Sequence, residues 1–147
     1  MSAKDKFHDL VKIALEKEGW HITHDPLTLR MEGIADMYID LGAEKLVAAE
    51  REGEKIAVEI KSFLGTSTIS EFHTAIGQFT NYRYALQIQE PERVLYLAAP
   101  LNTYQDFFTK SFVQFVIKQS QVKLLIYDIA KGEIAKWQTW SITKIVS

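Results

Sequence analysis

Residues 54–61, Glu-Lys-Ile-Ala-Val-Glu-Ile-Lys, constrain the fold more than any other stretch of the chain. The side-chain period of a strand puts Ile56, Val58 and Ile60 on one face and Ala57, Glu59 and Lys61 on the other. The strand runs straight on into Ser62-Phe63-Leu64, so it reads as central, where a charged pair needs a reason to be. Lys55 to Ile60 is one strand-like run and Leu46 to Ala49 is a second, and the charged, glycine-containing link Glu50 to Glu54 joins the two as a hairpin.

The flanking elements follow from periodicity. Ser2 and Asp5 form a capping box, and Phe7, Leu10, Val11, Ala14 and Leu15 continue at helical spacing until Gly19 ends the pattern. Trp20, Ile22 and later Met37 to Leu41 indicate short strands, with an Asp25-Pro26 turn between them. After a loop from Gly65 to Ser70, Phe72, Ala75, Ile76, Phe79 and Leu86 mark a long amphipathic helix. On that helix Glu71, Gln78 and Tyr82 fall within about 40° of one another along one edge of the apolar stripe. A buried strand from Val94 to Ala99, a helix from Tyr104 to Lys118, a strand from Val122 to Tyr127 and a final strand around Glu133 to Trp140 complete the chain. The expectation is one mixed α/β domain over residues 1–147, without repeats or low-complexity linkers.

Composition narrows the chemistry. There are no cysteines, so disulfides, thiolate metal sites and cysteine nucleophiles are excluded, and any metal would be held by Asp, Glu or His. The longest apolar run is the eight residues from Val94 to Leu101, short of the roughly 20 a bilayer crossing requires; the reading is a cytoplasmic protein with no membrane partner. Net charge is −2, split as −5 over residues 1–60 and +3 over the rest. A protein that coats nucleic acid unaided carries a basic surplus, so contact with DNA here would use a local patch, a dimer or a partner. No nucleophile elbow and no glycine-rich phosphate loop is present.

The strongest chemical feature is Asp40 followed nineteen residues later by Glu59-Ile60-Lys61, with the hairpin between. A hairpin returns the chain so that an acid at its entrance meets one at its exit. Two carboxylates and a backbone carbonyl make a site for a hard divalent ion, with a lysine to orient water or to stabilise a pentavalent phosphate. If the register differs, Glu44 takes the place of Asp40, and Glu50 also borders the hairpin. The bland reading of Glu-x-Lys is a solvated surface pair. His21, His24 and Asp25 do not make a zinc site, because in an extended segment residues three apart face opposite ways. Glu16 and Glu18 read as solvated, whereas Tyr82, Tyr84, Trp137 and Trp140 read as core or dimer contacts more than as base-stacking groups. Tyr127, Trp137 and Trp140 together raise a dimer face, so a homodimer is an expectation.

The order of acid, Glu-x-Lys strand and Gln78-x-x-x-Tyr82 helix resembles the PD-(D/E)xK nuclease superfamily, in its branch with a Gln-x-x-x-Tyr helix. Longer strings bring the likeness to one family: Lys4-Asp5 with Phe7-His8, Gly19-Trp20, Thr23 to Leu27, YIDLGAEKLVAAE from Tyr38, EKIAVEIKSFLG from Glu54, Ala75 to Gln78, Tyr82-Arg83 and Leu95 to Ala98 resemble the XisH family, named for the fdxN element excision controlling factor of cyanobacteria. The resemblance implies a restriction-endonuclease-like fold, a central mixed β-sheet flanked by helices. It implies a setting in programmed DNA excision, with DNA, an XisI-like companion protein and, indirectly, a site-specific recombinase as partners. Carried onto these residues it makes Asp40 and Glu59 the acids for Mg²⁺ (or Mn²⁺), Lys61 the catalytic lysine, and Gln78 and Tyr82 supporting residues near the substrate. Helix one in such nucleases often carries a glutamate, and His8 stands about where it would be; the alternative is a histidine that hydrogen-bonds a neighbour. The residue before the first acid is Ile39 where the superfamily name has proline. Two functions stay open: a Mg²⁺-dependent endonuclease, and a non-catalytic accessory that binds DNA or a partner and controls excision.

Overall fold

The hairpin that carries Glu59 closes as tightly as a two-residue connection allows. Glu52 and Gly53 both have positive φ, 48° and 88°, the type I′ geometry that matches the twist of paired strands and that glycine adopts without strain. The strands therefore run further toward the turn than the apolar runs indicate, by two residues in β2, Leu46–Arg51, and by one in β3, Glu54–Ile60. Their register sets Leu46 opposite Glu59 and Glu50 opposite Lys55.

The computed structural model describes residues 3–29 and 46–139. Before the hairpin come α1, Ala3–Lys17, and β1, His21–His24. After it come α2, Thr68–Gln89, and β4, Arg93–Pro100. A short turn of helix, α3, Leu101–Thr103, passes into a π-helical turn, Tyr104–Phe108, and then α4, Ser111–Gln119; β5, Leu124–Asp128, and β6, Glu133–Gln138, follow. The described strands form one mixed sheet in the order β1-β2-β3-β4-β5-β6. The β3–β4 and β4–β5 pairs are parallel and the outer pairs antiparallel, with α2 crossing from β3 to β4. The expected α/β architecture, a central mixed sheet flanked by helices, is what the chain forms, and it is consistent with a restriction-endonuclease-like fold.

The sheet divides two apolar layers, and β3 contributes to both by strict alternation. Ile56, Val58 and Ile60 pack with Val11, Leu15 and Trp20 beneath α1. Ala57 faces the other way, into a core with Phe72, Ala75, Phe79 and Leu86 of α2. Helix α1 stops in a Schellman motif: Trp20 N–H donates to Leu15 O at 3.1 Å and Gly19 N–H to Glu16 O at 3.0 Å, with Gly19 at φ +87°, a conformation that favours glycine.

Two sequence expectations need correction. The run from Tyr104 to Lys118 is not one helix; it breaks at Thr109 and Lys110, because Phe107 and Phe108 turn inward to pack edge-on against Phe72 at 5.5 and 5.7 Å. Tyr127 is fully buried in the α1-side core, not a dimer-face aromatic. Glu18 is exposed, as expected, and it also makes contacts: its backbone oxygen accepts from Arg51 Nη1 at 2.9 Å and its carboxylate from Trp137 Nε1 at 3.0 Å. The expected strand at Met37 to Leu41 lies outside the described residues, as do Ser2, Trp140 and the side chain of Asp5. No helix among the described residues is long and apolar enough to cross a membrane.

Candidate active site

Glu59 is the second-last residue of β3 and by alternation projects on the α2 side of the sheet, two residues beyond Ala57 on the same face. It is buried, at 2% exposure, and Lys61 is almost as enclosed. The two side chains share a face, with Lys61 Nζ 3.8 Å from Glu59 Oε2. A buried ion pair gains little for stability after desolvation, so its placement at the end of a central strand is better explained by chemistry than by folding.

The backbone beneath Lys61 is held from two sides. Its N–H donates to Ala98 O at 3.0 Å, which extends the β3–β4 ladder past the strand end. Its carbonyl accepts from the buried Tyr127 hydroxyl at 2.9 Å. Anchoring both groups fixes where the side chain starts. Beyond it Phe63 takes φ +53°, a left-handed conformation that costs a non-glycine residue about 1–2 kcal/mol. Its ring is buried perpendicular to Phe108 at 5.4 Å, and that burial offsets the cost.

The chain then enters α2 through a stapled loop. Ser67 caps the helix by accepting from Ser70 N–H at 3.3 Å, and Gly65 N–H donates to Glu71 Oε2 at 2.6 Å. Glu71 is thereby committed to the loop, not to the edge it was expected to share with Gln78 and Tyr82. Gln78 belongs to the buried face of α2, on the same side of the sheet as Glu59, and its Oε1 has no hydrogen-bond partner among the described residues. Tyr82 packs half-buried against that same core.

The other expected residues are distributed differently. Asp40 and Glu44 lie outside the described residues. Glu50 is described and does not approach Glu59: it pairs with Lys55, four positions or about 13 Å along β2 from the residue opposite Glu59, and its carboxylate faces Arg93 Nη2 at 3.6 Å. His8 is buried on α1, which packs on the opposite face of the sheet, and its Nε2 lies 2.8 Å from Asp25 Oδ1. Lys12 Nζ meets the second oxygen of Asp25 at 2.6 Å. Burial alone would raise the Asp25 pKa, but hydrogen bonds from Lys12 and His8, with their charges, hold the carboxyl below its ordinary range. The same hydrogen bond raises Lys12. Asp25 is thus engaged by His8 and Lys12, while His24 Nδ1 contacts its neighbour Thr23 Oγ1 at 3.0 Å.

Two structural residues escaped the sequence reading. Sequence reasoning places Tyr127 at a strand end and in a dimer face, and does not single out Arg93. Arg93 is 6% exposed and donates through Nη1 to Ile56 O at 3.0 Å and through Nε to Glu90 Oε1 at 2.7 Å, tying β4 to β3 and to the end of α2. A buried guanidinium joined to a backbone carbonyl on another strand has no local sequence signal.

The sequence model of the family described as XisH protein matches residues 1–135. The chain belongs to the XisH family. Two crystal structures at 1.60 Å resolution resemble this XisH chain. One is of an XisH family protein from Nostoc punctiforme PCC 73102, with a TM-score of 0.83 and 57% identity over 90% of this chain and 98% of that one. The other is of an fdxN element excision controlling factor protein from Anabaena variabilis, with a TM-score of 0.84 and 54% identity over 92% and 99%. No curated protein matches the chain.

Proposed function

We propose that this XisH chain acts in DNA excision as a metal-dependent endonuclease-type protein that hydrolyses a phosphodiester. The observation that carries the reading is the buried Glu59 and Lys61 pair, 3.8 Å apart on one face at the end of a central strand. Excision is the setting because the Anabaena variabilis relative is an fdxN element excision controlling factor protein.

The donor chemistry fits a hard cation. With no cysteine in the chain, a carboxylate such as Glu59 at a strand end is a ligand type that Mg²⁺ or Mn²⁺ accepts, and Asp40 is the second acid the family pattern supplies. When bound, the ion supplies Lewis-acid activation of water and of the phosphodiester. Glu59 holds charge in the site and orients the Lys61 ammonium. Lys61 places a positive Nζ where negative charge develops on the phosphoryl oxygens, an electrostatic contribution strengthened by its burial. Gln78, from the α2 side, offers a buried amide to position the scissile strand, and Tyr82 lies one helical turn further along the same edge.

The experiment is cleavage of supercoiled and branched DNA with Mg²⁺ or Mn²⁺, with and without an XisI-like companion. Wild type is compared with Asp40→Ala, Glu59→Ala and Lys61→Ala. Metal-dependent cutting lost in all three variants is the expected result. No cutting under any condition, with DNA or companion binding untouched by the substitutions, establishes instead the accessory reading that the chain's net charge of −2 favours.

A further inference from the structure

Helix α1 covers only part of its face of the sheet. Beneath it Ala98, Leu125 and Tyr127 are fully buried, but the first half of β4 on that face is open: Val94 is 39% exposed and Tyr96 half-buried. The uncovered stretch is the floor of a cavity of about 390 Å³, with Ile56 beside Val94 and Tyr96. It lies on the opposite face of the sheet from Glu59 and about 10 Å back along β3. A volume of this size is in the range of small-ligand pockets.

The walls are aromatic. Trp137 stands edge-on to Tyr96 at 4.9 Å and tilted to Trp20 at 6.0 Å, and the Arg51 guanidinium lies 4.4 Å from the centre of the Trp20 ring. Trp20 is 5% exposed, yet its indole N–H has no acceptor among the described residues. The rim carries two cations, Arg51 and Lys55, and two anions, Glu54 and Glu92. A free anion entering here would face both glutamates, and a free cation would face Arg51 and Lys55, so the balance selects against a net charge on the ligand. Burial, with the charge of Glu54, raises the Tyr96 pKa and keeps its hydroxyl a neutral donor and acceptor.

Flat aromatic walls, a neutral charge balance and a rim offering both donors and acceptors define one ligand chemistry. We propose that this cavity binds an uncharged planar heterocycle of the nucleobase class, lying against the Tyr96 and Trp137 rings above the Val94 floor, with its polar edge toward the charged rim. The site is separate from the Glu59 and Lys61 pair and does not depend on the endonuclease reading.

The test is titration of the full chain with adenosine, guanosine, cytidine and uridine, read by tryptophan fluorescence and by the indole ¹⁵N–H NMR signals of Trp20 and Trp137. Val94→Phe fills the floor at a partly exposed position, with circular dichroism and thermal melting to confirm that it stays folded. The expected result is saturable binding of at least one nucleoside that shifts both indole signals, weakened at least about ten-fold by Val94→Phe and unchanged by Glu59→Gln. Absence of saturable binding by all four overturns the proposal. So does equal binding by folded Val94→Phe, or tighter binding of inorganic phosphate or N-acetyl-arginine amide than of any nucleoside. Where Val94→Phe fails to fold, the two indole signals decide: shifts confined to other residues overturn it.

Discussion

The hydroxyl of Tyr127 on β5 donates to the backbone carbonyl of Lys61 at 2.9 Å, two strands away and inside the core. The contact ties the residue bearing the proposed catalytic ammonium to the far side of the parallel sheet. Tyr127→Phe keeps the ring and removes the donor, leaving a buried carbonyl short of a hydrogen bond. The expected cost is about 1–3 kcal/mol in urea unfolding. In a cleavage assay the same variant lowers kcat more than it raises KM, because the Lys61 platform loosens while substrate-binding groups stay. An unchanged unfolding midpoint would show that the bond contributes nothing.

Asp25 makes acid stability measurable at one side chain. Its folded pKa is depressed below the ordinary 3.8, since burial, which raises it, is outweighed by the hydrogen bonds and charges of Lys12 and His8. A depressed carboxyl contributes stability that is complete above the unfolded pKa and is lost as pH falls through the folded one. Urea midpoints of wild type and Asp25→Asn, taken between neutral pH and strong acid, should differ most above about pH 4 and converge below it. A gap that stays constant through the acid range would remove Asp25 from the account.

What the sequence made legible was whatever depends on a local period. Alternation placed Glu59 and Lys61 on one face and Ile56, Val58 and Ile60 on the other, and 3.6-residue spacing gave α1 and α2. It failed where a longer-range contact overrides spacing. The apolar pattern from Tyr104 to Lys118 runs on without a visible break, and only packing of Phe107 and Phe108 against Phe72 shows why the helix stops. His8 with Asp25, seventeen residues apart, and Tyr127 with Lys61, sixty-six apart, were invisible for the same reason. For the candidate site, the Glu59 and Lys61 half came from periodicity, while the choice of Asp40 as first acid rested mainly on the family pattern, and Asp40 falls outside the described residues.

Arg93 offers a test of the sheet's lower half. Its guanidinium donates to Ile56 O and Glu90 and faces Glu50, so one planar fork joins β3, β4 and the end of α2. Arg93→Lys keeps the charge and loses the fork. The expected loss is about 1–3 kcal/mol by urea unfolding, the range for a buried acceptor left unsatisfied. Full stability in the lysine variant would mean that charge alone suffices there.

The oxygen-donor role of Glu59 can be separated from catalysis by heat. An ion that binds only the folded chain stabilises it by RT ln(1 + [L]/Kd), about 1.4 kcal/mol at ten times Kd. For a chain of this length that raises Tm by about 3–6 °C. Mg²⁺ should produce this rise in wild type. Glu59→Gln, which keeps the side-chain shape but removes the charge, should abolish it. Lys61→Met should retain it, because the lysine donates no electron pair to a cation while protonated, and should nonetheless lose DNA cleavage. A Glu59→Gln melt that rises with Mg²⁺ as far as wild type would refute Glu59 as a ligand, whereas a Lys61→Met enzyme that still cuts would refute Lys61 as the charge opposite the phosphate.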